Sequence, residues 1–209
     1  MLRIPLTVSV LLFAAAAAMP AAQQAPIVQP GAPGSPSRVI TAAEAADLSK
    51  VGYTPEDVQF MRAMIAHHAQ ALEMTALRPA RSKGDTLRLL ALRIELSQTD
   101  EINAIVAWLQ ARGAAVAHGQ HTPGAPLMPG MLSAEEMTRL KDASGAGFDR
   151  LFLEFMIKHH EGALVMVEEL FATPGSGQES EIFAFASDVV DDQRAEIARM
   201  AGLLKELQR

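Results

Sequence analysis

No cysteine occurs anywhere in the 209 residues, and tryptophan and tyrosine appear once each. The first absence removes disulfide staples, thiolate metal ligands and thiol nucleophiles together, so whatever core the chain builds must hold by packing alone. Aromatic residues make up only 5%, which leaves alanine, leucine and methionine to fill that core and favours helix over sheet. There is no basic excess either: 18 Lys and Arg stand against 24 Asp and Glu, a formal charge of −6. Nucleic acid is therefore not an expected partner. What the chain does have is apolar mass, 49% of its residues, enough for one sizeable core or two small ones.

The N-terminus has the layout of an export signal. Arg3 precedes an apolar stretch from Ile4 to Ala18, and small residues continue through Ala22. That stretch is short and alanine-rich for a membrane span, so residues 1–22 are expected to be a cleaved signal peptide, leaving no stable span. An uncleaved tether is the alternative. Residues 23–51 follow as a Pro/Gly-rich, flexible tether, with a short helix expected around Thr41 to Ser49. Periplasmic or secreted localisation follows from the signal.

From residue 52 to 209 the punctuation is helical. Thr54-Pro55-Glu56-Asp57 supplies an N-cap, a proline for the first turn and two acids, and the helix it opens should stop near Arg78-Pro79. A second helix is expected from Asp85 to Arg112, stopped by Gly113. Residues 113–132 read as a linker carrying His118, His121, Met128 and Met131. Ser133-Ala-Glu-Glu136 is a capping box for a short helix. A long helix is expected over Phe148 to Phe171, and Ser176-Gly-Gln-Glu179 caps a last one.

The second half repeats the first. Met64-Ile-Ala-His67-His68 returns as Met156-Ile-Lys-His159-His160, and Met74 returns as Met166, all at a separation of 92 residues. Gln98 to Ile102 matches Gln193 to Ile197 at a separation of 95. Two hairpins, each with one apolar face, bury those faces against each other, which predicts an all-α four-helix bundle built from two repeated helical hairpins.

At about 100° per residue, Phe60, Met64, His67, Ala71 and Met74 share one face, and Phe152, Met156, His159, Ala163 and Met166 share its counterpart. His68 and His160 fall at the edge of each stripe. Neighbouring imidazoles diverge on a helix, so a site is expected to take His67 and His159 from facing helices, with sulfur from Met64, Met74, Met156 or Met166. His68 and His160 are left for a second site, or for hydrogen bonds to carboxylates such as Glu73 or Glu161. Glu101, Asp191, Asp192 and Glu196 are expected on a solvated face, or behind the ligands. Core packing explains methionines at helical spacing equally well, but two inward histidines in one core require partners. Imidazole plus thioether is a donor set for copper, as Cu(I) or Cu(II).

The string Pro129-Gly-Met131-Leu132-Ser133-Ala-Glu-Glu-Met137, with Phe148-Asp149 and Phe155-Met156-Ile-Lys-His159-His160-Glu161-Gly162-Ala163, resembles the exported domain-of-unknown-function family 305. Asp57-Val-Gln-Phe60-Met61 and His67-His68 match its other hairpin, and the resemblance spans about residues 52–209. It implies a ferritin-like four-helix bundle outside the cytoplasm, in a family some of whose members are associated with copper binding and tolerance. The expected role is a non-enzymatic copper buffer or chaperone in metal homeostasis, exchanging copper with an envelope protein and losing affinity as pH falls through the histidine range. The rivals are a metal-free envelope interaction module and a ferritin-like metal-dependent oxidoreductase. The latter lacks its Glu-x-x-His motif, since position 64 is methionine. Oligomeric state is not readable from the chain.

Overall fold

The helices begin where side-chain oxygens can satisfy free backbone donors. A computed structural model describes residues 25–29, 37–47, 51–116 and 127–207. The signal segment, much of the tether, His118 and His121 lie outside them. In the first helix of the long set, α2 (Pro55–Arg81), Thr54 Oγ1 accepts the Asp57 N–H at 3.1 Å while Asp57 Oδ2 accepts the Thr54 N–H at 2.8 Å. The helix runs through Pro79 instead of stopping before it. Proline removes one donor there, close to the helix end, where the loss is small. Helix α3 (Asp85–Ala111) stops at Gly113, whose φ of 64° only glycine adopts cheaply.

The short α4 (Ala134–Asp142) has the expected capping box between Ser133 and Glu136. Helix α5 (Gly145–Ala172) starts three residues earlier than its apolar stripe suggests, with Ser144 in the cap position. Glu179, rather than Ser176, caps α6 (Ser180–Glu206), its Oε2 accepting the Ile182 N–H at 3.1 Å.

The described residues fall into two compact units, one ending at Ala46 and one beginning at Asp47. In the first unit, β1 (Ile27–Gln29) pairs antiparallel with β2 (Arg38–Ile40), Val28 opposite Val39. Composition alone reads this segment as a tether; Ile27, Val28, Val39 and Ile40 are the β-formers that escape the Pro/Gly bias. Helix α1 (Ala42–Ala46) follows, capped reciprocally by Thr41 and Glu44 and shorter than expected.

In the second unit the chain is all-α. Four long helices form two hairpins, α2–α3 and α5–α6, joined chiefly through α2 and α5. Two apolar clusters fill the interior. One gathers Met74, Leu90 and Ile94 with Phe148, Phe152, Met156 and Met200. The other gathers Phe60, Met64, Ile105 and Leu109 with Met166, Leu170, Ile182 and Val189. The C-terminal half of α2 thus packs on the N-terminal half of α5, and the reverse, so these helices run antiparallel. Each fully buried leucine- or phenylalanine-sized side chain contributes about 1.5–3 kcal/mol, so the clusters supply the stability that disulfides do not.

Candidate metal centre

The histidines lie between the two apolar clusters, where α2 crosses α5. His67 and His159 are 0% and 1% exposed, and their ring centroids stand 3.9 Å apart at an interplanar angle of 35°. His67 Nε2 lies 3.0 Å from the carbonyl of Pro129, and His159 Nε2 lies 3.0 Å from the carbonyl of His67 itself. A carbonyl only accepts, so both Nε2 atoms must carry the hydrogen. When each ring is neutral, its lone pair is on Nδ1, and both Nδ1 atoms are buried with no hydrogen-bond partner.

Neutrality follows from the surroundings. Burial pulls His67 down from 6.5 to about 3, and the charge of neighbouring His68 adds to it, against the Pro129 hydrogen bond. Burial, then the charges of His67, His160 and His68, hold His159 well below its ordinary value. A ring with its N–H anchored on a protein oxygen, its second nitrogen bare and its charge suppressed is prepared as a metal ligand. Each bare buried nitrogen otherwise costs about 1–3 kcal/mol.

The outer histidines repeat this with carboxylates. His68 Nε2 is hydrogen-bonded to Glu101 Oε2, and His160 Nε2 donates to Glu196 Oε2 at 2.7 Å. Both Nδ1 atoms are again buried without a partner. Sequence reasoning named Glu73 and Glu161 as partners, and neither serves: Glu73 pairs with Lys141 and both are exposed. Glu101 and Glu196 are not on a solvated face, being 13% and 1% exposed as side chains. The 95-residue separation that relates these glutamates was the signal for their shared role. Gln98 and Gln193, matched by the same separation, are buried in the same stretch of α3 and α6 with amide nitrogens unpartnered. Asp192 sits close enough to feel Glu101 and Glu196; burial first, then their charges, raises its carboxyl.

The end of the linker, residues 127–132, packs against the histidine layer. Pro129 supplies the carbonyl for His67. The next residue, Gly130 (φ 74°), lies so close to Gly162 of α5 that a Cβ on Gly162 would meet the Pro129 oxygen at 2.1 Å. Gln70 grips the same segment from α2, its Oε1 accepting the Leu132 N–H at 2.7 Å and its Nε2 donating to the Leu132 oxygen at 3.0 Å. Met131 and Leu132 are buried. This strap was legible only as a Gly/Pro linker, because its partners are set by tertiary packing.

The four methionines are all interior, but they divide. Met64 and Met166 belong to one apolar cluster, Met74 and Met156 to the other, on either side of the histidines. Among the described residues no three His, Asp or Glu side chains gather into one metal-holding group. The donors this layer presents are imidazole nitrogens, with thioethers in the apolar clusters on either side.

Two hairpins carrying doubled Met-x-x-His-His segments, with each histidine anchored through its outer nitrogen, define a class of small helical proteins with a buried histidine layer. The chain belongs to the family described as domain of unknown function DUF305, whose model matches residues 57–204. It is similar to a DUF305 fragment from Deinococcus radiodurans, with 35% identity over 74% of this chain and 98% of that one and a TM-score of 0.66. A DUF305 protein from Streptomyces coelicolor, described as secreted, is 28% identical over 73% of this chain and 94% of that one, with a TM-score of 0.63. CopM in its Cu(II)-bound form is 26% identical over 72% of this chain and 96% of that one, with a TM-score of 0.60. CopM is also solved with Cu(I) and with silver. No curated protein sequence matches the chain. No helix among the described residues is long and apolar enough to cross a membrane.

Proposed function

We propose that this chain is an exported, non-enzymatic copper-binding protein that holds Cu(I) or Cu(II) as cargo in the histidine layer and exchanges it with other envelope components. The observation that carries this reading is the set of four buried Nδ1 atoms without partners, each on a ring whose Nε2 is already committed. His67 and His159 are the central donors. Met64, Met74, Met156 and Met166 flank them, and their thioethers favour Cu(I). His68 and His160, backed by Glu101 and Glu196, have the carboxylate–histidine pairing that orients a ligand and raises its basicity. Similarity to copper-bound and silver-bound CopM supports the same cargo. Export is supported by the signal-like N-terminus.

The test is competition affinity for Cu(I), Cu(II) and Zn(II) on the purified chain, wild type against His67→Ala/His159→Ala. Tight copper binding that the double variant loses while staying folded is the expected result. Equal, weak binding by both would return the histidines to packing.

A metal-free interaction module is favoured by one observation: Leu89, Leu92 and Leu96 stand exposed on α3 at helical spacing. A melting temperature that ignores added copper would bring that reading forward, since a ligand bound only by the native state must raise it.

A further inference from the structure

His67 and His159 sit at full depth, so an ion that reaches them must pass a wall of helices. Of the cavities that open on the described surface of that wall, two include a residue hydrogen-bonded to one of the histidines. One, of about 460 Å³, lies along α3 and includes Glu101 and Asp192; it leads to His68 through the Glu101 carboxylate. Its donors are oxygens, and the Arg93 guanidinium is also part of its lining. The other, of about 270 Å³, lies between the N-terminal half of α2, the C-terminal half of α5 and the strap. Met128, Met166 and Pro129 share its lining with the exposed carboxylates Glu56 and Glu169.

We propose that this second cavity is the mouth through which Cu(I) reaches the histidine layer, with Met128 the first sulfur to receive it. Four features converge. Met128 is half-buried, on the described part of the strap, and Met166 lies in the same cavity two turns beyond His159 on α5. Two thioethers suit a soft monovalent ion and are poor ligands for Zn(II) or Mg(II). Pro129, next to Met128, is bonded through its carbonyl to His67, so the cavity wall and the buried ring share one residue. Glu56 and Glu169 give the opening a negative field that concentrates cations. The strap's fit against Gly162 and Gln70 keeps this wall in place.

The inference rests on the copper reading above and is separable from it. Stopped-flow transfer of Cu(I) from a coloured chelator complex, under anaerobic conditions, reads the loading rate on the full chain. Equilibrium competition with the same chelator reads affinity. Met128→Leu keeps volume and apolarity, so it should fold, which its melting curve verifies. Expected is clearly slower loading in Met128→Leu, with little change in equilibrium affinity and with Asp192→Asn loading like wild type. A Met128→Leu protein that loads at the wild-type rate overturns the proposal. So does slow loading confined to Asp192→Asn, which would place the mouth at the oxygen-lined cavity. If wild type takes no Cu(I) at equilibrium, the copper reading itself fails, and the equilibrium arm shows that before any rate is compared.

Discussion

His67 carries the sharpest consequence of burial for a single residue. In the unfolded chain it titrates near 6.5, and in the fold it stays neutral down to about 3. Between those values the unfolded state binds a proton that the native state refuses. Stability is therefore fully present above 6.5 and declines as pH falls toward 3, by up to about 1.4 kcal/mol per pH unit for each such histidine. His159 shifts in the same direction and adds to the slope. Urea unfolding of the apo-protein across that window should show the decline, and His67→Leu/His159→Leu should flatten it; parallel curves would mean that other groups set the acid limit. The same neutrality revises the pH dependence read from residue type alone. Protons do not compete for the Nδ1 of His67 until pH nears 3. The share of copper affinity that His67 supplies should accordingly hold level through the ordinary histidine range.

Among the elements, the strap over residues 127–132 depends on one missing side chain. A Cβ at Gly162 would come within 2.1 Å of the Pro129 oxygen and 2.5 Å of Gly130 Cα, both backbone atoms that cannot rotate aside. Gly162→Ala should lift the strap, cost about 1–3 kcal/mol and free the His67 N–H from its carbonyl. Thermal melting together with exchange of the His67 ring proton checks this, and an unchanged melting point with a still-protected proton would contradict it. The helices themselves were legible in the chain, because caps and a 3.6-residue period are local properties: Thr54 and Ser133 stand where their sequence context places them. Inter-helix partners were not. The matched Gln98–Glu101 and Gln193–Glu196 segments announced a shared role, yet only the register of α2 on α3 and α5 on α6 assigns Glu101 to His68 and Glu196 to His160. For the strap, glycine and proline gave the same local signal that a free linker gives.

At the scale of the whole molecule, the repeat makes the hairpins hold each other by their ends. Asp57, fully buried, caps α2 through the Thr54 N–H and reaches the opposite hairpin's turn through the Gly177 N–H at 2.7 Å. Asp149, its counterpart, lies beside the other turn at Gly84, but its Oδ1 is buried without a hydrogen-bond partner. Asp57→Ala should therefore cost about 2–4 kcal/mol, and Asp149→Ala clearly less; denaturant midpoints of the two variants measured side by side decide it, and equal losses would contradict the assignment. Placing two equivalent histidines face to face was legible from the constant 92-residue separation. Their inequivalence was not. Gly162 and Gln70 occupy matching positions in the two halves, and both grip the strap, one by offering room and the other by offering an amide. A single segment laid across an approximate two-fold axis cannot obey it. The twin imidazoles are thus left with unlike neighbours, one leaning on the strap and the other on its twin's own backbone, and a protein written twice ends with a left hand and a right hand that do not match.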